Sequence, residues 1–93
     1  MVAAPYFSEK EWALKWLRGS IESFFRGKTS LQIVVGRIRR AVESYNVSVA
    51  EVKQIIGSLL IDPSINIPRE IREEKAKELL KLVEEMKRNG RGG

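Results

Sequence analysis

The stretch SLQIVVGRIRRAVESYNVSVAEV, residues 30–52, decides the fold class. Its β-branched run Ile33-Val34-Val35 suits the start of a strand, because two heavy atoms on Cβ stiffen the side chain and favour extended backbone. A strand would need apolar residues to alternate. Instead Leu31, Val34, Val35, Ile38, Ala41, Val42 and Tyr45 recur at steps of three and four, which gathers them on one side of a helix. The spacing predicts a helix over 30–45. Asn46 then suits the left-handed conformation that ends a helix, and Ser48 with Glu51 has the spacing of a capping box for the next. Val47 and Val52 flank that cap as a hydrophobic staple. A helix over 49–61 follows, with Val49, Val52, Ile55, Ile56, Leu59 and Leu60 as its apolar face, and the tight turn at 45–47 predicts that the two helices are neighbours.

The same grammar extends in both directions. Ser8 with Glu11 opens a helix over 9–26, whose core face holds Ala13, Leu14, Leu17, Ile21, Phe24 and Phe25; Gly27 ends it, and Thr29 with Gln32 is expected to cap the second helix. Downstream, IDPSINIP (61–68) interrupts the periodicity, and Pro68 is expected in the first turn of a last helix over 68–88. There Ile71, Leu79, Leu82, Val83 and Met86 share a stripe with Leu80 at its flank, and Glu73–Lys77 and Glu84–Arg88 are spaced for ion pairs. The fold class is therefore all-α: one compact orthogonal or irregular bundle of about four helices over 1–89, with residues 90–93 read as a flexible Gly/Arg tail.

Ninety-three residues, 43% of them hydrophobic, supply one modest core and not two. No apolar run approaches the ~20 residues of a membrane span, and the N-terminus lacks the pattern of a secretory leader, so a cytoplasmic location without membrane association is expected. Cysteine and histidine are both absent, which removes disulfides, thiol chemistry, the usual neutral-pH base and the common zinc ligands. Glu70, Glu73 and Glu74 are interleaved with Arg and Lys and have no partner for acid–base chemistry, so neither an enzyme nor a cofactor or metal is expected. The lack of Cys and His beside abundant Lys, Arg, Glu and Ile has a thermophile-like character.

Gly27-Lys28-Thr29 copies the end of a P-loop. That motif needs a glycine five residues earlier so that backbone N–H groups can curl around phosphates, whereas position 22 is a glutamate inside a helix. A nucleotide site is not expected. Nor do the third and fourth helices form a helix-turn-helix, because a proline-broken loop separates them where a short turn is required.

Two surfaces remain as candidates. Trp12, Trp16, Gly19 and Ser23 form an uncharged second face on the first helix, well off its core stripe; this is the expected interface for a homodimer or another helical partner. The net charge of +5 is concentrated in the first half: residues 1–46 hold eight Lys/Arg against four Glu, a net +4. Arg26, Lys28, Arg37, Arg39 and Arg40 lie within fifteen residues, and guanidinium groups on a helix face suit phosphate oxygens. Arg91, beside the tail glycines, adds a charge of the kind found in segments that hold single strands loosely. These residues predict a nucleic-acid-binding protein, for DNA or RNA, that contacts backbone phosphates with little sequence preference, possible as a homodimer. The alternative is a helical interaction or assembly module, a subunit of a larger complex or particle.

Overall fold

The computed structural model describes residues 8–89, with side chains through Met86. Four helices occur in order: α1 Glu9–Phe25, α2 Leu31–Ser44, α3 Val49–Ile61 and α4 Arg69–Asn89. No strand occurs among the described residues, so Ile33-Val34-Val35 is helical. Only Val34 of the three is fully buried; Val35 is half-buried and Ile33 faces out. That is the helical distribution the spacing demanded.

Both capping boxes are present in full. Ser8 accepts from the Glu11 N–H while the Glu11 carboxylate accepts from the Ser8 N–H, both at 3.1 Å; Ser48 and Glu51 do the same at 3.1 and 2.9 Å respectively. The Lys10 ammonium also lies 3.0 Å from Glu51. These partners hold the Glu51 carboxyl below the usual carboxylate range, the backbone hydrogen bond at Ser48 first and Lys10 after it. The cap of α2 differs from expectation. Ser30, not Thr29, accepts from the Ile33 N–H at 3.2 Å, because the Thr29 hydroxyl is already engaged with Ser23 at 2.7 Å. Gly27, at φ 83°, closes α1 with bonds from its own N–H to the Phe24 carbonyl and from the Lys28 N–H to the Ser23 carbonyl. Asn46, at φ 60°, ends α2 as its side-chain chemistry suggests. Pro68 falls one position outside the fourth helix, its carbonyl accepting from Ile71 and Arg72.

Cross-helix contacts fix the directions. Tyr45 lies against Trp12 and Trp16, and Arg37 reaches Ser20, so α1 and α2 form an antiparallel hairpin. Lys10 meets Glu51 and Arg18 meets Ser58 and Asp62, so α1 and α3 run parallel. Arg72 bonds the Leu59 carbonyl and Lys53 pairs with Glu84, so α3 and α4 are antiparallel. The α1/α2 and α3/α4 hairpins pack on one another through a common core of Leu17, Ile21, Phe24, Phe25, Val34, Ile38, Val52, Ile56, Leu59, Leu79 and Val83. Helices α2 and α3 scarcely touch despite their four-residue connection, contrary to the neighbour relation expected from that turn. Each is drawn instead to α1, and α3 also to α4.

The fourth helix keeps most of its expected stripe, with Leu79 and Val83 buried and Leu80 and Met86 packed against the core, but its first turns face differently. Its buried stripe is Arg72, Ala76, Leu79 and Val83, while Ile71 is 42% exposed. Arg72 is only 8% exposed and donates to the carbonyls of Ile67 (2.9 Å), Leu59 (3.0 Å), Leu60 (3.2 Å), Asp62 (2.8 Å) and Ile65. One guanidinium thus satisfies the last turn of α3 and the loop that follows, where backbone acceptors have no helical partner. Asp62 folds the same loop: Oδ1 accepts from Ser64 N (2.9 Å) and Ser64 Oγ (2.7 Å), and Oδ2 accepts from Arg18. The Ser64 bonds, and then the positive charges of Arg18 and Arg72, hold the Asp62 carboxyl below its ordinary range. On the outer surface Glu73 meets Arg69, one turn back, rather than Lys77.

Candidate nucleic-acid interface

The α1/α2 hairpin brings the two candidate surfaces together. On α1 the spacing of Trp12, Trp16, Gly19 and Ser23 is helical, as is that of Ile33, Arg37, Arg40 and Ser44 on α2. The stripes lie side by side: Tyr45 joins them at one end, the 3.0 Å bond from Arg37 to Ser20 Oγ in the middle, and the Ser23–Thr29 bond at the other. None of these residues is acidic.

The indoles of Trp12 and Trp16 stack with centroids 5.5 Å apart and planes 15° from parallel, and Tyr45 meets both edge-on at 5.7 and 6.4 Å. Trp16 is half-buried against the core, whereas Trp12, outermost in the stack, is 49% exposed. The intramolecular cover is therefore Tyr45, a residue whose spacing placed it on the core side of α2; Tyr6 and Phe7 lie outside the described residues. Ile33 continues the apolar surface at 51% exposure. Gly19 and Gly36 are exposed, and a Cβ on either would meet no atom within 4 Å. Neither glycine mediates a close helix approach among the described residues.

The five cations separate. Arg40 and Lys28 are exposed and make no ion pair among the described residues. Arg37 is half-buried, with one guanidinium nitrogen committed to Ser20, a serine otherwise sealed in the α1/α2 contact. Arg26 is held by Glu22 through Nε at 3.2 Å and a terminal nitrogen at 2.8 Å. Arg39 projects to the opposite flank, where it borders a groove of about 520 Å³ between α2 and α4 with Val35, Val42, Glu43, Leu82, Glu85 and Met86. Arg91 lies outside the described residues. One basic stripe thus becomes a narrower site of Arg40 and Arg37 beside the tryptophans, with Lys28 at the opposite end of the hairpin.

Arg18 escaped notice as a site residue and is structural, tied to α3. Arg72 was also missed; its signal was its position four residues before Ala76, on the apolar stripe of α4. Among the described residues no helix is long and apolar enough to cross a membrane, and no three acidic side chains are grouped to hold a metal ion. No protein-family model matches the chain, and no curated protein or solved structure is significantly similar to it.

Proposed function

We propose that the α1/α2 face binds single-stranded nucleic acid, with Arg40, Arg37 and Lys28 facing phosphates and Trp12 offering its open side to a base. The supporting observation is the adjacency of a stacked indole pair, its outer ring half-exposed, to Arg37 and Arg40, neither of which makes an ion pair among the described residues. Stacking needs a base with a free face, which a duplex does not present, and it tolerates any base; cations along the strand supply affinity by releasing counterions. The combination favours single strands and little sequence preference.

Three phosphate contacts on a single strand give a slope of log K against log salt of about −2, and each lost cation lowers its magnitude by about 0.7. Mobility-shift titrations with oligo(dT) and oligo(U) at several salt concentrations test this directly. Arg40→Ala and Lys28→Ala are the informative variants, since neither side chain supports the fold. Absence of salt-sensitive binding in the parent protein refutes the proposal.

A second reading, association of two copies through this face, is favoured by the exposure of Trp12 and Ile33 together with the open positions at Gly19 and Gly36. Apolar surface with small residues between suits close approach of a partner helix. Sedimentation equilibrium of the parent and of Trp12→Ser distinguishes it: a dimer lost on that substitution supports association, and a monomer at every concentration refutes it.

A further inference from the structure

A second cleft, of about 460 Å³, lies around the end of the hairpin, between the α1–α2 turn and the start of α4. Phe25, Ile67, Pro68 and Ile71 give it apolar walls; Arg26, Lys28 and Lys75 bring three positive charges from two separate parts of the chain, and no carboxylate lines it. The groove between α2 and α4 differs in just this respect, carrying Glu43 and Glu85 against Arg39. Lys75 is prepositioned: its ammonium sits 4.7 Å from the centre of the Phe24 ring, which restrains a long side chain without neutralising its charge. Arg26 is partly satisfied by Glu22, so Lys28 and Lys75 supply the uncompensated charge. The N–H groups of Arg69 and Glu70, in the first turn of α4 beside the cleft, find no backbone acceptor among the described residues, and Pro68 has no side-chain oxygen to cap them.

We propose that this cleft is a binding site for a phosphate monoester, the charges taking the phosphate and the apolar walls its organic group. A doubly charged phosphate neutralises what a carboxylate would leave half unmet, and an apolar substituent makes use of walls that a bare ion would not touch. Two sources share this chemistry: a free organophosphate, and the terminal phosphate of a strand lying on the neighbouring α1/α2 face, to which Lys28 is common. The second source rests on the proposed function; the first does not.

Amide NMR titrations of the whole chain with phenyl phosphate, and separately with phenol, test the site. The expected result is a saturable shift of Gly27, Lys28, Arg69 and Glu70 with phenyl phosphate and none with phenol, weakened about five- to tenfold by Lys28→Gln and again by Lys75→Gln. Trp12→Ser leaves it unchanged, which separates this site from the stacking face. A response that never saturates, or one indifferent to both lysine substitutions, overturns the proposal. With the site established, an oligonucleotide that gains affinity from a 5′ phosphate only while Lys28 and Lys75 are present identifies a strand end as the source. Equal affinity with and without that phosphate assigns the site to free organophosphates.

Discussion

Replacing Arg72 by Met keeps much of the side chain's length and apolar stem while removing its five hydrogen bonds to the carbonyls of Leu59, Leu60, Asp62, Ile65 and Ile67. Leu59, Ile65 and Ile67 are buried residues, so water reaches their carbonyls only if the loop opens. An abandoned buried acceptor costs about 1–3 kcal/mol, and partial relaxation of the loop brings three of them to roughly 3–5 kcal/mol in total. A domain of this length has about 5–14 kcal/mol of stability, so the loss is a large share of it. At about 4–8 °C per kcal/mol, the midpoint should fall by roughly 12–40 °C in a thermal melt followed by circular dichroism. Arg72→Lys, which keeps the charge but has one nitrogen for several acceptors, should fall between the two. A drop under about 1 kcal/mol for Arg72→Met in urea unfolding would refute the reasoning, since it would mean that solvent already serves those carbonyls.

Other outcomes follow from the same fold. Gly19→Ala and Gly36→Ala each add a methyl group to open space on a helix, so each should raise stability by about 0.5–1 kcal/mol in urea unfolding; if two copies associate there, the same substitutions weaken association while strengthening the fold. Gly27→Ala should instead destabilise by about 1 kcal/mol or more, because its φ of 83° is strained for any side chain. Stability against pH follows Asp62 and Glu51: both native carboxyls titrate below their ordinary range, so their contribution is complete above that range and is lost as pH falls through the lowered native values. With no histidine to titrate, the melting temperature should stay nearly flat between about pH 5 and 8 and decline below about pH 4, less steeply in Asp62→Asn. Ser48→Ala removes a cap whose partner Glu51 also meets Lys10, and should cost about 1 kcal/mol by the same urea assay.

The helices were legible because their signals are local. A serine three residues before a glutamate, a glycine or asparagine after an apolar stripe, and steps of three and four all act within one or two turns. Thr29 shows the limit of such reasoning: it looked like a cap, but its hydroxyl was taken by Ser23 across the turn, and Ser30 capped instead. The first turns of α4, where Arg72 and not Ile71 is buried, departed from expectation for a related cause. An arginine on an apolar stripe reads as a surface residue until the loop that needs its five hydrogen bonds is folded around it, and that loop is assembled by contacts between residues far apart in the chain. The cations divided in the same way. Nothing in the interval from Arg26 to Arg40 says that Glu22 holds the first, that Ser20 engages Arg37, or that Arg39 turns toward α4.

Both tryptophans of the chain belong to the stack with Tyr45, so the protein's indole emission comes entirely from the α1/α2 face. Each event on that face therefore carries its own optical signature without a label. A base laid on Trp12 quenches the emission, a second copy closing over it shifts the band to the blue, and a phosphate monoester confined to the cleft at the opposite end of the hairpin leaves it unaltered. The coupled indole transitions should also superimpose an exciton couplet on the helical far-ultraviolet spectrum, so Trp12→Ser would change the apparent helicity of a fold that had lost no helix.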